Sequence, residues 1–254
     1  MINKSKRKIA ICLIATNKYL KFFKDLEKDI NKFFLTENSV EIFLFTDKKI
    51  KPKDNLHIIP IRYEPWPAST LKRFHYFDMV NEELIDFDYC FYMDVDMRIV
   101  KPITESILSN FTVTLSPGFV DKDISEFPYC ENPLSKAFIK SGEGNTNYFA
   151  GGFFGGSSEK FIQMSKTLSE NIQSDINNEQ IPRWHDEAHL NYYTTINKPE
   201  KILPREYCFH TELETKENEI PKILCIEKFH YLYRGKYPKV FRFFYYYFKK
   251  VIKL

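Results

Sequence analysis

Two carboxylates, Asp94 and Asp96, stand one residue apart at the end of an unbroken apolar and aromatic run, Tyr89-Cys90-Phe91-Tyr92-Met93. A run of that length and character reads as a strand buried on both faces, as in the middle of a parallel α/β sheet. Side chains alternate across a strand, so Asp94 and Asp96 are expected to point one way and Met93, Val95 and Met97 the other. Like charges aimed at one spot need a cation between them. A hard divalent metal that also holds a phosphate suits oxygen ligands best, and the bland alternative is a solvated pair at a strand end.

A second constellation is Trp184-His185-Asp186-Glu187-Ala188-His189. His185 and His189 are four apart and could share a helix face around zinc, as in a hydrolase. A zincin, however, has Glu directly after the first His, where this chain has Asp186. The other reading makes Asp186-Glu187 the start of a helix, where unsatisfied N–H groups favour carboxylates. Carboxylates there can face a developing oxocarbenium charge, or they can simply cap the helix. A third feature, Gly151-Gly152-Phe153-Phe154-Gly155-Gly156, lacks the spacing and the Lys of a phosphate loop. It suits either close approach of a ligand to backbone or a tightly packed strand crossing.

The elements that must position these residues follow from periodicity. Ile9–Thr16, Val40–Phe45 and Leu56–Ile61 are apolar runs of strand length, the second stopping at Thr46-Asp47. Tyr19, Phe22, Phe23, Leu26, Ile30, Phe33 and Phe34 recur at helical spacing, as do Leu71, Phe74, Phe77, Val80 and Leu84 after Pro65-Trp66-Pro67. Such alternation predicts an α/β fold with a mostly parallel central sheet flanked by helices, and ligands collect at the carboxyl ends of such strands. Short strands at Ile99–Val100 and Phe111–Ser116, an irregular stretch over 119–147, and a helix from Ser157/Ser158 complete the reading.

At 254 residues the chain suits one large domain, and a net charge of +3 makes no case for nucleic acid. The five cysteines (Cys12, Cys90, Cys130, Cys208, Cys225) are scattered, which argues for reduced thiols in a cytoplasmic protein rather than a disulfide frame or a zinc site. Lys4 to Lys8 followed by an apolar run imitates a signal peptide, but the run is short and reads better as a first strand. No stretch approaches the ~18 apolar residues of a membrane span. Residues 236–254 interleave Lys236, Lys239, Arg242, Lys249, Lys250 and Lys253 with aromatics. That pattern suits peripheral contact with an anionic membrane at its inner, cytoplasmic face.

Taken in order, the motifs resemble glycosyltransferase family 6, the retaining α-1,3-galactosyl- and N-acetylgalactosaminyltransferases. The carrying residues are Phe45-Thr46-Asp47, Trp66 to Arg73-Phe74, Asp94-Val95-Asp96-Met97, Pro117-Gly118-Phe119, Tyr148 to Gly156, Trp184 to Asn191, and Lys228-x-His230-x-x-x-Arg234. The resemblance implies a GT-A-like single domain over 1–235, with a nucleotide-binding part about 1–100, an acceptor-binding part about 101–235, and a separate tail over 236–254. It implies transfer of GalNAc, in preference to Gal, from UDP to a β-galactoside-containing glycan. Asp94 and Asp96 then hold Mn2+, or another divalent ion such as Mg2+, on the diphosphate. Phe45, Asp47 and Thr16 flank the nucleoside, Arg73 approaches the donor sugar, and Ala150, Gly151 and Gly152 line the pocket for its C2 substituent. In the family a Gly at the last of these three goes with GalNAc and an Ala with Gal. Trp184 and His185 contact acceptor and donor, Glu187 is the catalytic carboxylate with Asp186 on the donor sugar, and Lys228 and Arg234 clamp the diphosphate. Soluble bacterial relatives often carry Asn for the Asp pair and work without metal; this chain keeps both Asp. A catalytically silent sugar- or nucleotide-binding protein is the rival from another class.

Overall fold

The computed structural model describes residues 6–212, 215 and 219–226. The first strand β1 (Lys8–Ile14) leads through a 3-10 turn into helix α1 (Leu20–Phe33), then β2 (Ser39–Thr46) and β3 (Leu56–Pro60). Short helices α2 (Ala68–Leu71), α3 (Arg73–Asp78) and α4 (Asn81–Leu84) precede β4 (Tyr89–Met93), β5 (Met97–Ile99) and β6 (Phe111–Thr114). After the irregular stretch come β7 (Phe153–Ser157), α5 (Ser158–Asn177), α6 (His185–Ile196), β8 (Lys201–Leu203), β9 (Phe209–His210) and β10 (Ile223–Cys225).

Seven strands form one sheet in the order β3-β2-β1-β4-β7-β6-β8, with β5-β10-β9 as a small second sheet. β3, β2, β1 and β4 run parallel, while β7 alone is reversed between β4 and β6. The sheet is therefore mostly parallel with helices on both faces, as the alternation of elements predicts. β4 is its central strand and β1 lies beside it in the interior, so the apolar run after Lys8 is structural core.

Alternation along β1 divides the core in two. Ile9, Ile11 and Leu13 pack with Phe22, Leu26 and Ile30 of α1, whereas Ala10 and Cys12 face Phe74 and Phe77 of α3 and Phe161 and Leu168 of α5. β4 is buried from Cys90 to Met93, so neither of its faces meets water. Truncating a ring such as Phe91 would remove both transfer energy and packing, on the order of 3–5 kcal/mol.

Three expectations change. The single helix over Leu71–Leu84 is three short pieces, because the backbone at Lys72 (ψ 10°) and Val80 (ψ 25°) leaves helical geometry while the buried stripe continues across the breaks. The Asp94–Asp96 segment is no strand continuation: β4 ends at Met93 and a turn closed by Met97 N–H to Asp94 O (3.2 Å) carries both carboxylates. The glycine run splits its two readings. Gly156 needs its bare Cα because a methyl there would collide with the Asn110 carbonyl just ahead of the neighbouring strand β6, which is a strand crossing. Gly151 and Gly152 precede the strand and belong to the site.

All five cysteines are free thiols. Among the described residues no helix is long and apolar enough to cross a membrane.

Candidate active site

The carboxyl ends of β1 and β4, the Gly151-Gly152 segment and the N-terminus of α6 surround one cavity of about 890 Å³. Thr16, Arg73, Asp94, Asp96, Gly151, Gly152, Trp184, His185, Asp186 and Glu187 all line it. Residues as far apart in the chain as Thr16 and Glu187 thus reach one crevice at strand ends, where a parallel sheet opens onto ligand.

Arg73, at the start of α3 and only 5% exposed, is the hub. Its guanidinium donates to Gly151 O, reaches Asp94 Oδ1 at 3.2 Å and Asp186 Oδ2 at 3.1 Å, and lies 4.2 Å from the Tyr92 ring centre. Burial alone would lower Arg73, but the surrounding Asp186, Tyr92, Asp94 and Glu187 push it up, so it stays charged. Tyr92 also donates to Asp94 Oδ1 at 2.5 Å. Asp94 is therefore held by one oxygen, with its Oδ2 turned toward Gly152.

The start of α6 supplies the other two acids. His185 takes a left-handed φ of 48° there, an uncommon conformation for a side-chain-bearing residue, and Asp186 and Glu187 follow in the first turn, directed inward. Glu187 Oε2 accepts the Gly151 N–H at 2.7 Å. Fully buried Asn191 fixes this geometry: its amide donates to Phe149 O and Glu187 O and its oxygen accepts from Phe149 N–H, each at 2.9 Å. Burial pushes Glu187 up, against the Gly151 N–H, the Tyr148 hydroxyl and Arg73, which favour the anion.

Asp186 is pushed up by burial to about 7, although Arg73 favours its ionised form. Two opposite pH responses follow. Any turnover that requires Asp186 ionised should rise with pH through about 7, as initial rates across pH 5–9 would show. Stability has the other sign. The native carboxyl binds its proton more tightly than the unfolded one near 3.8, so Asp186 disfavours folding progressively as pH climbs from about 4 to about 7. Urea unfolding of Asp186→Asn should lose that part of the slope.

When Asp94, Asp96, Asp186 and Glu187 are ionised, one guanidinium leaves the wall with excess negative charge. Hard carboxylate oxygens at the mouth of a polar cavity suit a divalent ion such as Mn2+ or Mg2+, so Asp94 and Asp96 fit that group by donor chemistry.

Several expected residues lie elsewhere. Phe45 is fully buried against Tyr76 and Phe77, with ring centres at 6.3 and 5.9 Å, and does not line the cavity. Ala150 is likewise buried, its N–H bonded to Thr114 O at 2.9 Å, behind the wall that Gly151 and Gly152 form. Asp47 does not line the cavity but accepts the N–H of Asn17, which does, at 2.7 Å; against burial, that bond and Lys48 hold its carboxyl below the usual range. The aromatic that does line the cavity at the end of β1 is Tyr19, assigned by periodicity to the α1 stripe. Thr16-Asn17 ahead of it was the available signal, since a strand-end Thr-Asn marks a ligand-facing turn.

The zinc pairing of His185 with His189 fails. His185 sits in the cavity, 5.1 Å from the Trp66 ring, whereas His189 is wholly buried with Nε2 3.3 Å from Asp175 of α5. Asp175 also accepts from Ser135 Oγ (2.5 Å) and Lys136 N–H (2.8 Å), so this cluster anchors the irregular 119–147 stretch. Lys228, Arg234 and the 236–254 tail lie outside the described residues.

A mostly parallel sheet whose strand ends gather carboxylates and a buried arginine defines a GT-A-like glycosyltransferase domain. The family model described as Glycosyltransferase family 6 matches residues 1–231, and the chain belongs to that family. It is 31% identical over 218 residues to histo-blood group ABO system transferase 1 of Rattus norvegicus, covering 81% of this chain and 62% of that protein. Globoside alpha-1,3-N-acetylgalactosaminyltransferase 1 of Gallus gallus is 27% identical over 209 residues, 78% of this chain and 61% of its own length. O-antigen biosynthesis glycosyltransferase WbnI of Escherichia coli is 27% identical over 228 residues, 87% of this chain and 94% of its own. The chain thus spans about three fifths of the length of the animal relatives and nearly all of the bacterial one.

Proposed function

We propose that the chain transfers GalNAc, in preference to Gal, from a UDP-sugar to a β-galactoside-containing glycan in α-1,3 linkage with retention of configuration. The observation that carries this reading is the Arg73 hub: one buried cation ties Asp94 to Asp186 and to the carbonyl of Gly151, and the N–H of Gly151 holds Glu187. The relatives named for ABO transfer, for globoside α-1,3-N-acetylgalactosaminyl transfer and for O-antigen synthesis support the same class of donor and acceptor.

In this reading Tyr19, Thr16 and Asp47 border the nucleoside, and Asp186 and Arg73 grip the donor sugar. Glu187 faces the anomeric carbon from the side opposite UDP. As the C–O bond to UDP breaks and its electron pair leaves on the diphosphate, the Glu187 carboxylate stabilises the positive charge left on the sugar. The acceptor hydroxyl then bonds to that carbon on the face UDP has left and passes its proton to the departing diphosphate oxygen, with Trp184 and His185 placed to orient it. Asp94 and Asp96 would hold a divalent ion, which would supply positive charge to the departing diphosphate.

Gly152 carries donor choice. A methyl there would come within 2.5 Å of the flexible Met97 Cε and 3.1 Å of Asp94 Oδ2, so Met97 can yield and the fold should tolerate it. The methyl would occupy space an acetamide needs. Gly152→Ala should shift the UDP-GalNAc to UDP-Gal ratio of kcat/KM toward Gal by about 10- to 200-fold, the range a single methyl-sized change supports. Competing the two donors in one assay reads this directly, and an unchanged ratio would remove Gly152 from the specificity pocket.

For location, we place the protein on the cytoplasmic side of a membrane through its basic aromatic tail, with no nucleic acid among its partners. Deleting residues 237–254 should abolish sedimentation with anionic liposomes; undiminished sedimentation would exclude the tail as the contact.

A further inference from the structure

Cys208 immediately precedes β9 (Phe209–His210) and stands two residues before His210 on the same extended segment. β10 lies beside β9 in parallel with Cys225 opposite His210, which brings a third donor alongside. One ligand atom from each of Cys208, His210 and Cys225 falls within 4.8 Å of the others. The two sulfurs are 3.6 Å apart. That is far beyond the ~2.05 Å of a disulfide, but close to the ~3.8 Å that separates two thiolates bound tetrahedrally at about 2.3 Å from one zinc. Scattered spacing in sequence argues against a zinc site, yet the strand register brings these three donors together.

We propose that Cys208, His210 and Cys225 form a Cys2His zinc site, distinct from the Asp94/Asp96 carboxylates. The softness of the donors separates the two: thiolate and imidazole select Zn2+, whereas carboxylate oxygens take Mn2+ or Mg2+. The site laces β9 to β10, the last described strand before residue 227. Cys208 is buried, and His210 also lines the large cavity, so the cluster borders that cavity. Three protein ligands with one open position is the arrangement of a zinc site that can accept water or a ligand oxygen. Sheet β5-β10-β9 is tied to the acid pair directly, since Ile226 N–H donates to Asp96 O at 3.0 Å. Zinc occupancy therefore stiffens the base of the metal-bearing turn.

The test uses the full chain, reduced and metal-free, titrated with Co2+ and then Zn2+. The expected result is a thiolate-to-cobalt charge-transfer band saturating at about one equivalent and displaced by Zn2+, and two of the five thiols shielded from a thiol reagent once zinc is bound. Cys225→Ser and His210→Gln should each lose the band, while the Asp94→Asn/Asp96→Asn variant keeps it. His210 is exposed, so its variant tests the site even if Cys225→Ser folds poorly. No band in the wild-type chain, a band that survives Cys225→Ser, or a band lost only in the double Asn variant would each overturn the proposal. Ready oxidation to a Cys208–Cys225 disulfide without measurable zinc affinity would overturn it as well.

Discussion

Glu187→Gln should lower kcat for sugar transfer by about 10²–10³-fold while leaving the fold intact, the loss expected when a preorganised charge facing the transition state is removed. The substitution is nearly isosteric. The amide oxygen can still accept the Gly151 N–H that Glu187 Oε2 now accepts at 2.7 Å, and the backbone clamp from Asn191 does not involve the side chain at all. What disappears is the negative charge opposite the leaving group. Because that charge acts on a species present only as the C–O bond breaks, KM for the donor should change far less than kcat. Burial of Glu187 should even make the neutral variant as stable as the parent, or more so, since its carboxyl is pushed up in the native state. Steady-state kinetics and a thermal melt on one preparation separate the two effects. A melt that falls together with kcat would assign Glu187 a packing role instead.

Replacing Asp94 and Asp96 together with Asn should cost metal-dependent turnover by several kcal/mol, about 10³-fold. The two positions differ. Asp94 also receives Arg73 and Tyr92, so Asp94→Asn leaves a buried guanidinium with one fewer anion and should cost some stability. The ion pairs of Arg73 are with Asp94 and Asp186, so Asp96→Asn leaves the Arg73 hub in place. Rates across a Mn2+ titration should show a weakened half-saturation for Asp96→Asn and no saturation for the double variant. Full activity of the double variant in chelator would contradict the role given to the turn.

Much of this site was legible from residue types because its parts sit at the ends of strongly patterned segments. The run Tyr89–Met93 can only be a buried strand, and whatever follows it must emerge at the sheet's carboxyl edge, which places Asp94 and Asp96 correctly without their turn. The acids of Trp184–His189 were legible because a helix start tolerates them. Other features depend on which helix covers which face of the sheet. Phe43 and Phe45 alternate with Ile42 and Leu44, and only packing of α3 and α5 on one side decides that Phe45 joins the core rather than a ligand. Tyr19 shows the reverse, being periodic with α1 yet turned to the cavity by the 3-10 turn Asn17–Tyr19. The Cys208-His210-Cys225 cluster depends on register between strands 13 residues apart at their nearest, and no local pattern encodes that.

The central claim is that the Arg73-linked carboxylates serve transfer of a sugar from UDP with its configuration retained. The most direct measurement incubates the full chain with UDP-GalNAc, Mn2+ and a β-galactoside, and reads the new linkage by proton NMR alongside UDP release. The account predicts stoichiometric UDP and an α-configured GalNAc on the 3-hydroxyl of galactose, with both signals abolished by chelator and by Glu187→Gln. A β-linked product, or nucleotide binding with no sugar transferred to any galactoside, would contradict it.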